Sequence, residues 1–304
     1  MKSNVPYYKA ETIAEKSWMI GNAFVDHSYA LCYLVEGRDY ALLIDSILGM
    51  GNLKEFCETL TEKPVVLVNT HAHSDHCGGN FFFDACYMHH RDIGFFQSSV
   101  GQVRKQQIAD MAKGMALEEY RDQIEPDDQF ADWNPMKVLP LYDGDVFDLG
   151  DRRITVVEVG GHTAGSVVLI DPLTRIAYSG DACNGNTLLE FENSLPIVSY
   201  MKALLRLKAH QGGFDRMYGG HEIFDSSIMD EAIETVGRVI AGTDDHVEST
   251  GILGYPICYA AAKVKDGYER ADGKHFNMSY LPEKILEPEN DIQVITYQQE
   301  KSEP

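Results

Sequence analysis

Short β-rich runs, each closed by glycine or by a polar cluster, dominate the hydrophobic pattern of this chain. The runs 28–35 and 40–45 flank the turn-like tetrad Glu36-Gly37-Arg38-Asp39 and predict a β-hairpin. Asn52 is placed to cap a helix running through Leu60. The apolar run 64–69 that follows predicts a buried strand. Residues 85–88 predict a further short strand. From Gln102 to Ile124 the chain turns charged and helix-favouring, with Ile108, Met111 and Met115 at helical spacing. That stripe is read as a packing face, with a lid or a homodimer face as alternatives. Strand patterns return at 137–141, 153–159, 166–170 and 175–179. Helical patterns at 198–209 and 225–241 flank the segment Phe214 to His221. Strands followed by helices, twice over, predict two βα halves packed sheet against sheet.

Chemistry concentrates where the 64–69 strand ends. Thr70-His71-Ala72-His73-Ser74-Asp75-His76 places three histidines and an aspartate within six residues. Imidazole and carboxylate are ligands for a borderline cation such as zinc, and a strand end holds them on rigid backbone. Two later strands also close on candidate ligands: Gly160-Gly161-His162-Thr163 follows one and Gly180-Asp181 the other. His89 and His90 are adjacent, so on a strand they point to opposite faces. At most one of them can approach a metal.

Composition bounds the partners. The chain has 304 residues and a net charge of -21, which repels phosphate backbones and anionic membranes over most of the surface. Long nucleic acid and membrane are therefore set aside, and a small-molecule substrate is expected. No apolar leader or membrane-length run occurs in the sequence, so a cytoplasmic location is expected. The six cysteines lack CxxC spacing and read as reduced, buried thiols. Cys77 and Cys183, beside candidate ligands, are included in that reading.

Taken together, T-H-A-H-S-D-H at 70–76, G-G-H-T at 160–163, S-G-D at 179–181 and G-G-H at 219–221 resemble the metallo-β-lactamase superfamily. The resemblance spans about residues 15–245. An aspartate at 181, in place of a cysteine, brings the set closest to the glyoxalase II and lactonase type. The resemblance implies an α/β four-layer αββα sandwich formed by residues 1–304 as a single domain. A helical insertion at about 95–135 and a substrate-shaping C-terminal segment at about 245–304 complete it. It also implies a site for two divalent metal ions, zinc first, with iron or manganese as alternatives. His71, His73 and His162 would hold the first ion, Asp75, His76 and His221 the second, with Asp181 bridging. Gly160 stands where the family has proline, which loosens that turn and leaves the ligand in place.

What the resemblance implies chemically is a metal-dependent hydrolase. Paired ions lower the pKa of a shared water to about 7 and direct it at an ester, thioester, lactone or amide. Asp75 and Asp181 are the candidate catalytic carboxylates, and Asp75 additionally orients the water and its proton. The rival readings are a di-iron or mono-iron oxidoreductase of flavodiiron or sulfur dioxygenase type, and a small phosphodiesterase. Tyr255, Tyr259 and Phe276 are candidate pocket residues, and Lys274 and His275 candidate contacts for an anionic substrate group.

Overall fold

Runs of β-branched and aromatic residues pair largely in the order in which the chain delivers them. The computed structural model describes residues 6–25, 29–98, 105–124, 136–264 and 269–287. A seven-stranded sheet follows chain order: Tyr8–Ala14 (β1), Ser17–Asn22 (β2), Leu31–Glu36 (β3), Ala41–Ile44 (β4), Val65–Val68 (β5), Ala85–His89 (β6) and Lys137–Leu141 (β7). Strands β1 to β4 run antiparallel, and β4 to β7 are parallel. The expected hairpin is β3–β4, with Tyr33 opposite Ile44 and Glu36 opposite Ala41. Asn52 Oδ1 accepts from the Glu55 amide at 3.2 Å and caps the helix Leu53–Glu58.

The second sheet comprises Val146–Asp148 (β8), Arg153–Glu158 (β9), Val167–Asp171 (β10), Ile176–Gly180 (β11), Arg216–Gly219 (β13) and Ile223–Asp225 (β14), in the order β14-β13-β11-β10-β9-β8. A third, smaller sheet has Asn186–Leu189 (β12), Val247–Thr250 (β15), Pro256–Tyr259 (β16) and Asn277–Tyr280 (β17), ordered β12-β17-β16-β15.

Side chains alternate across each strand, and both faces of the two large sheets are covered. The central strands therefore read as continuous apolar runs. Tyr33, Val35, Leu42, Ile44 and Val68 meet Ile154, Val156, Leu169 and Tyr178 of the second sheet between the layers. Cys32, Leu34, Leu43 and Leu67 point outward and are covered by Leu53 and Cys57. The outer face of the second sheet packs on the helices Ile197–Ala209 and Ile228–Ile240 through Tyr200, Leu204, Met229 and Val236. The result is the αββα order that the resemblance implies.

Where the insertion is expected, the helix Lys105–Met115 presents Ile108, Ala109, Ala112 and Met115, and the residue after it, Ala116, packs beside them, against Phe24, Val25 and Met50. Packing is thus the role of Ile108 and Met115, whereas Met111 is 36% exposed. The remaining parts of the expected insertion, 99–104 and 125–135, lie outside the described residues, as does the segment from 288 onward. Among the described residues, no helix is long and apolar enough to cross a membrane.

Candidate metal centre

The ends of β4, β5, β11 and β13 and the turn after β9 meet at one edge of the sandwich. Two backbone hydrogen bonds join the halves there: Leu31 N donates to Gly220 O at 2.7 Å, and Val167 N to Thr70 O at 2.9 Å. All seven candidate ligands gather at this seam. Three overlapping sets, His71/His73/His162, His71/His76/Asp181 and Asp75/His76/His221, each have their ligand atoms within 4.8 Å of one another. Asp181 Oδ2 lies 3.6 Å from His76 Nε2, 3.6 Å from His162 Nε2 and 3.2 Å from His221 Nε2, so it stands between the sets. Asp75 Oδ2 lies 3.6 Å from His221 Nε2 and 3.8 Å from His76 Nε2.

Hydrogen bonds on the far side of each ring decide which nitrogen faces inward. Asp45 is 2% exposed and sits just past β4 at a φ of 64°. Its Oδ1 accepts from Thr70 N at 2.7 Å, and its Oδ2 accepts from Thr70 Oγ1 at 2.7 Å and from His76 Nδ1 at 3.1 Å. A carboxylate only accepts, so His76 carries its proton on Nδ1 and turns the Nε2 lone pair inward. Thr70 Oγ1, having donated to Asp45, accepts from His71 Nδ1 at 3.1 Å. His162 Nδ1 donates to Leu188 O at 2.7 Å, and His221 Nδ1 to Tyr29 O. Four imidazoles therefore present Nε2, and His73 presents Nδ1, 2.8 Å from His162 Nε2.

These atoms fit divalent cations on the structure's own terms. His71 Nε2, His76 Nε2 and Asp181 Oδ1 are buried without a hydrogen-bond partner. Such atoms are costly unless something compensates them. Burial, reinforced by the neighbouring imidazoles, holds His71 and His73 well below the usual imidazole range, so both carry free lone pairs. Burial also lowers His162. At His76 and His221 burial acts downward, but the Asp181 carboxylate outweighs it, taking His76 well up and His221 to about 9, so a cation binding at Nε2 would displace a proton there. Burial would raise Asp181, yet His221 and His76 hold it well below the usual carboxylate range. The site thus gathers neutral imidazoles at one end and a carboxylate-rich pocket at the other, a donor set suited to zinc and similar ions.

Further residues fix the loops. Asp92, 1% exposed, accepts from Ala72 N at 3.0 Å and Thr163 Oγ1 at 2.7 Å through Oδ2, and from Gly165 N at 2.7 Å through Oδ1. It ties the 70–76 loop to the 160–165 turn. A Cβ at Gly220 would fall 2.3 Å from His76 Cε1 and 2.6 Å from Asp181 Oδ1, so only glycine passes there. The rings of Phe191 and Phe95 lie 4.9 Å and 5.9 Å from that of His73 and give the site an apolar wall.

Sequence reasoning assigned no role to Asp45, Asp92, Phe95 or Phe191. Only Asp45, an acid at a strand end, carried a signal. Conversely, His89 sits 3.3 Å from Glu158 and His90 stacks on Tyr142, so neither joins the cluster. Cys77 and Cys183 are buried, and burial pushes both thiols up, as expected of packing residues. Phe276 is core and Tyr259 is buried. Lys274 pairs with Glu234 and the His275 amide donates to Glu231, on the flank of the Ile228–Ile240 helix.

Comparison with known proteins supplies the wider frame. The sequence profile of the metallo-beta-lactamase superfamily matches residues 25–90. The human (Homo sapiens) acyl-coenzyme A thioesterase MBLAC2 is 26% identical over 241 residues, covering 72% of this chain and 82% of that protein. Among solved structures, the metallo-beta-lactamase from Pontibacter korlensis is 19% identical with a TM-score of 0.52, covering 76% of this chain and 99% of its own. The mono-zinc form of the metallo-beta-lactamase FIM-1 from Pseudomonas aeruginosa is 15% identical with a TM-score of 0.53, covering 76% of this chain and 95% of its own. At these identities the structures share the fold.

Proposed function

Because the chain is a hydrolase of the metallo-β-lactamase superfamily, we propose that it cleaves acyl thioesters at divalent ions held by His71, His73, Asp75, His76, His162, Asp181 and His221. The observation that carries this reading is the convergence of seven ligand atoms, three of them buried without partners, in a relative of acyl-coenzyme A thioesterases.

When bound, divalent ions supply a nucleophilic water at neutral pH and polarise the acyl carbonyl. Hydrolysis adds the water oxygen to the carbonyl carbon and breaks the carbon–sulfur bond, releasing a carboxylate, a thiol and a proton. The chain's own groups serve the remaining needs. Asp75 is only partly buried and accepts a proton from water at the mouth of the site. Asp181 faces His76, His162 and His221 and would balance the positive charge of ions held among them. Phe95 and Phe191 exclude water from the side of His73. A thiol leaves as thiolate with a pKa of about 8.5 and needs little help from an acid. No cysteine or serine nucleophile is required.

A panel of acyl thioesters, lactones, β-lactams and phosphodiesters, each offered to zinc-, manganese- and iron-loaded protein, tests the reading. Turnover highest on thioesters is expected. A preference for phosphodiesters, or dioxygen consumption by the iron form with no hydrolysis, would replace it.

A further inference from the structure

The hairpin joining β15 to β16 ends in a tip whose large apolar residues face solvent: Ile252 is 68% exposed, Leu253 59% and Tyr255 58%. Isolated exposed apolar residues are ordinary, but three within four positions on a held turn form a patch that asks for an occupant. The turn is held from inside and from outside. Gly251 N donates to Tyr255 O at 2.8 Å and Gly254 N to Gly251 O at 3.0 Å, which closes the loop. Glu190, 3% exposed, accepts from Ile252 N at 2.7 Å and from Ser279 Oγ at 2.5 Å. A Cβ at Gly251 would lie 2.4 Å from Glu190 Oε1, so the carboxylate grips the turn where a side chain would otherwise be.

That grip connects the tip to the metal centre. Glu190 directly follows β12, whose Leu188 carbonyl receives His162 Nδ1, and directly precedes Phe191, whose ring lies 4.9 Å from His73. The Glu190 side chain and one residue step of about 3.6 Å separate the Ile252 amide from Phe191, so the backbone of the tip lies within roughly a dozen Å of that of the apolar wall. An occupant that starts at the ligand cluster and runs along Phe191 toward the tip would need to be linear and apolar.

Resting on the thioesterase reading, we propose that Ile252, Leu253 and Tyr255 form the acyl-chain platform of this enzyme, selecting substrates whose acyl group is long enough to reach from the site past Phe191. The chain's net charge of -21 disfavours an anionic membrane as the alternative occupant of the tip. Each methylene withdrawn from water is worth about fourfold in affinity, so partial cover of a ten-carbon chain gives a measurable preference.

The test compares acetyl- and decanoyl-coenzyme A, below micellar concentrations, on wild type and on the triple variant Ile252→Ser, Leu253→Ser, Tyr255→Ser of the full chain. Wild type should favour the decanoyl substrate in kcat/KM by roughly tenfold or more. The triple variant should lose roughly that factor on decanoyl while staying within about twofold on acetyl. Equal kcat/KM on the two substrates in wild type, or a variant that loses both activities alike or neither, overturns the proposal and leaves the thioesterase reading standing. Sedimentation in the same samples covers the other occupants: a dimer that the variant breaks, with both rates unchanged, makes the tip a subunit contact and overturns the proposal. Wild type inactive on every thioester removes the thioesterase reading and this inference with it.

Discussion

Replacing Asp45 by asparagine isolates the orienting role of one carboxylate from everything else it touches. The shape is kept, and the φ of 64° at this position suits asparagine as well as aspartate, so no backbone strain is added. What changes is acceptance. Asp45 takes three donors, from Thr70 N, Thr70 Oγ1 and His76 Nδ1, at 2.7, 2.7 and 3.1 Å. In either flip of the amide an N–H faces at least one of these donors, inside a region where Asp45 is 2% exposed. Losing one or two hydrogen bonds to a charged acceptor, at about 1.5–3 kcal/mol each and incompletely additive, predicts a loss of about 2–3 kcal/mol in stability. It also frees His76 to turn, and loss of an orienting partner weakens metal affinity by roughly 10–100-fold. Denaturant unfolding of the chelated protein reads the first effect, and competition with a chromophoric chelator reads the second. A variant that matches wild type in both, within about 0.5 kcal/mol and twofold, would refute the assignment of Asp45 as the residue that aims His76.

Two other substitutions probe different terms. Gly220→Ala places a methyl carbon 2.3 Å from His76 Cε1 and 2.6 Å from Asp181 Oδ1, so it should part these ligands and lower metal content in the purified protein by about tenfold, with overpacking of about 1–3 kcal/mol. Normal metal occupancy by elemental analysis would contradict that. His89 is buried, and burial, opposed by Glu158, pushes it down to about 4, against about 6.5 in an unfolded chain. Between those values the unfolded chain takes a proton that the folded one refuses, so stability falls as pH drops from about 6.5 to 4. His89→Asn should flatten that part of the melting-temperature profile relative to wild type, and parallel profiles would count against the assignment.

The parts of this molecule legible in the sequence are those where one local signal settles the outcome. Continuous apolar runs predict β3, β4, β5, β10 and β11, because strands covered on both faces leave few polar positions. The seven histidines and aspartates stand out as a set because each follows a strand or a glycine pair. β1 escaped because it is an edge strand with Lys9, Glu11 and Thr12 in its half-exposed pattern. The third sheet escaped because its strands are only four residues long and its β12 finds its partner β17 far along the chain. Asp92 was invisible for a related reason: its three donors come from residues 72, 163 and 165, and nothing near position 92 announces them. Met111 shows the limit of reading periodicity alone. The packed face of its helix is completed by Ala109 and Ala112, with Ala116 just beyond its end, small residues that a search for large apolar side chains passes over.

Metal dependence of thioester turnover is the most direct test of the account. The wild-type protein, stripped with a chelator, dialysed free of it and shown by circular dichroism to remain folded, should lose thioester hydrolysis to below about a hundredth of the untreated rate. Adding back zinc, manganese or iron should restore it. Thioester turnover that continues undiminished in the folded, metal-free protein would contradict the claim that His71, His73, Asp75, His76, His162, Asp181 and His221 act by holding ions.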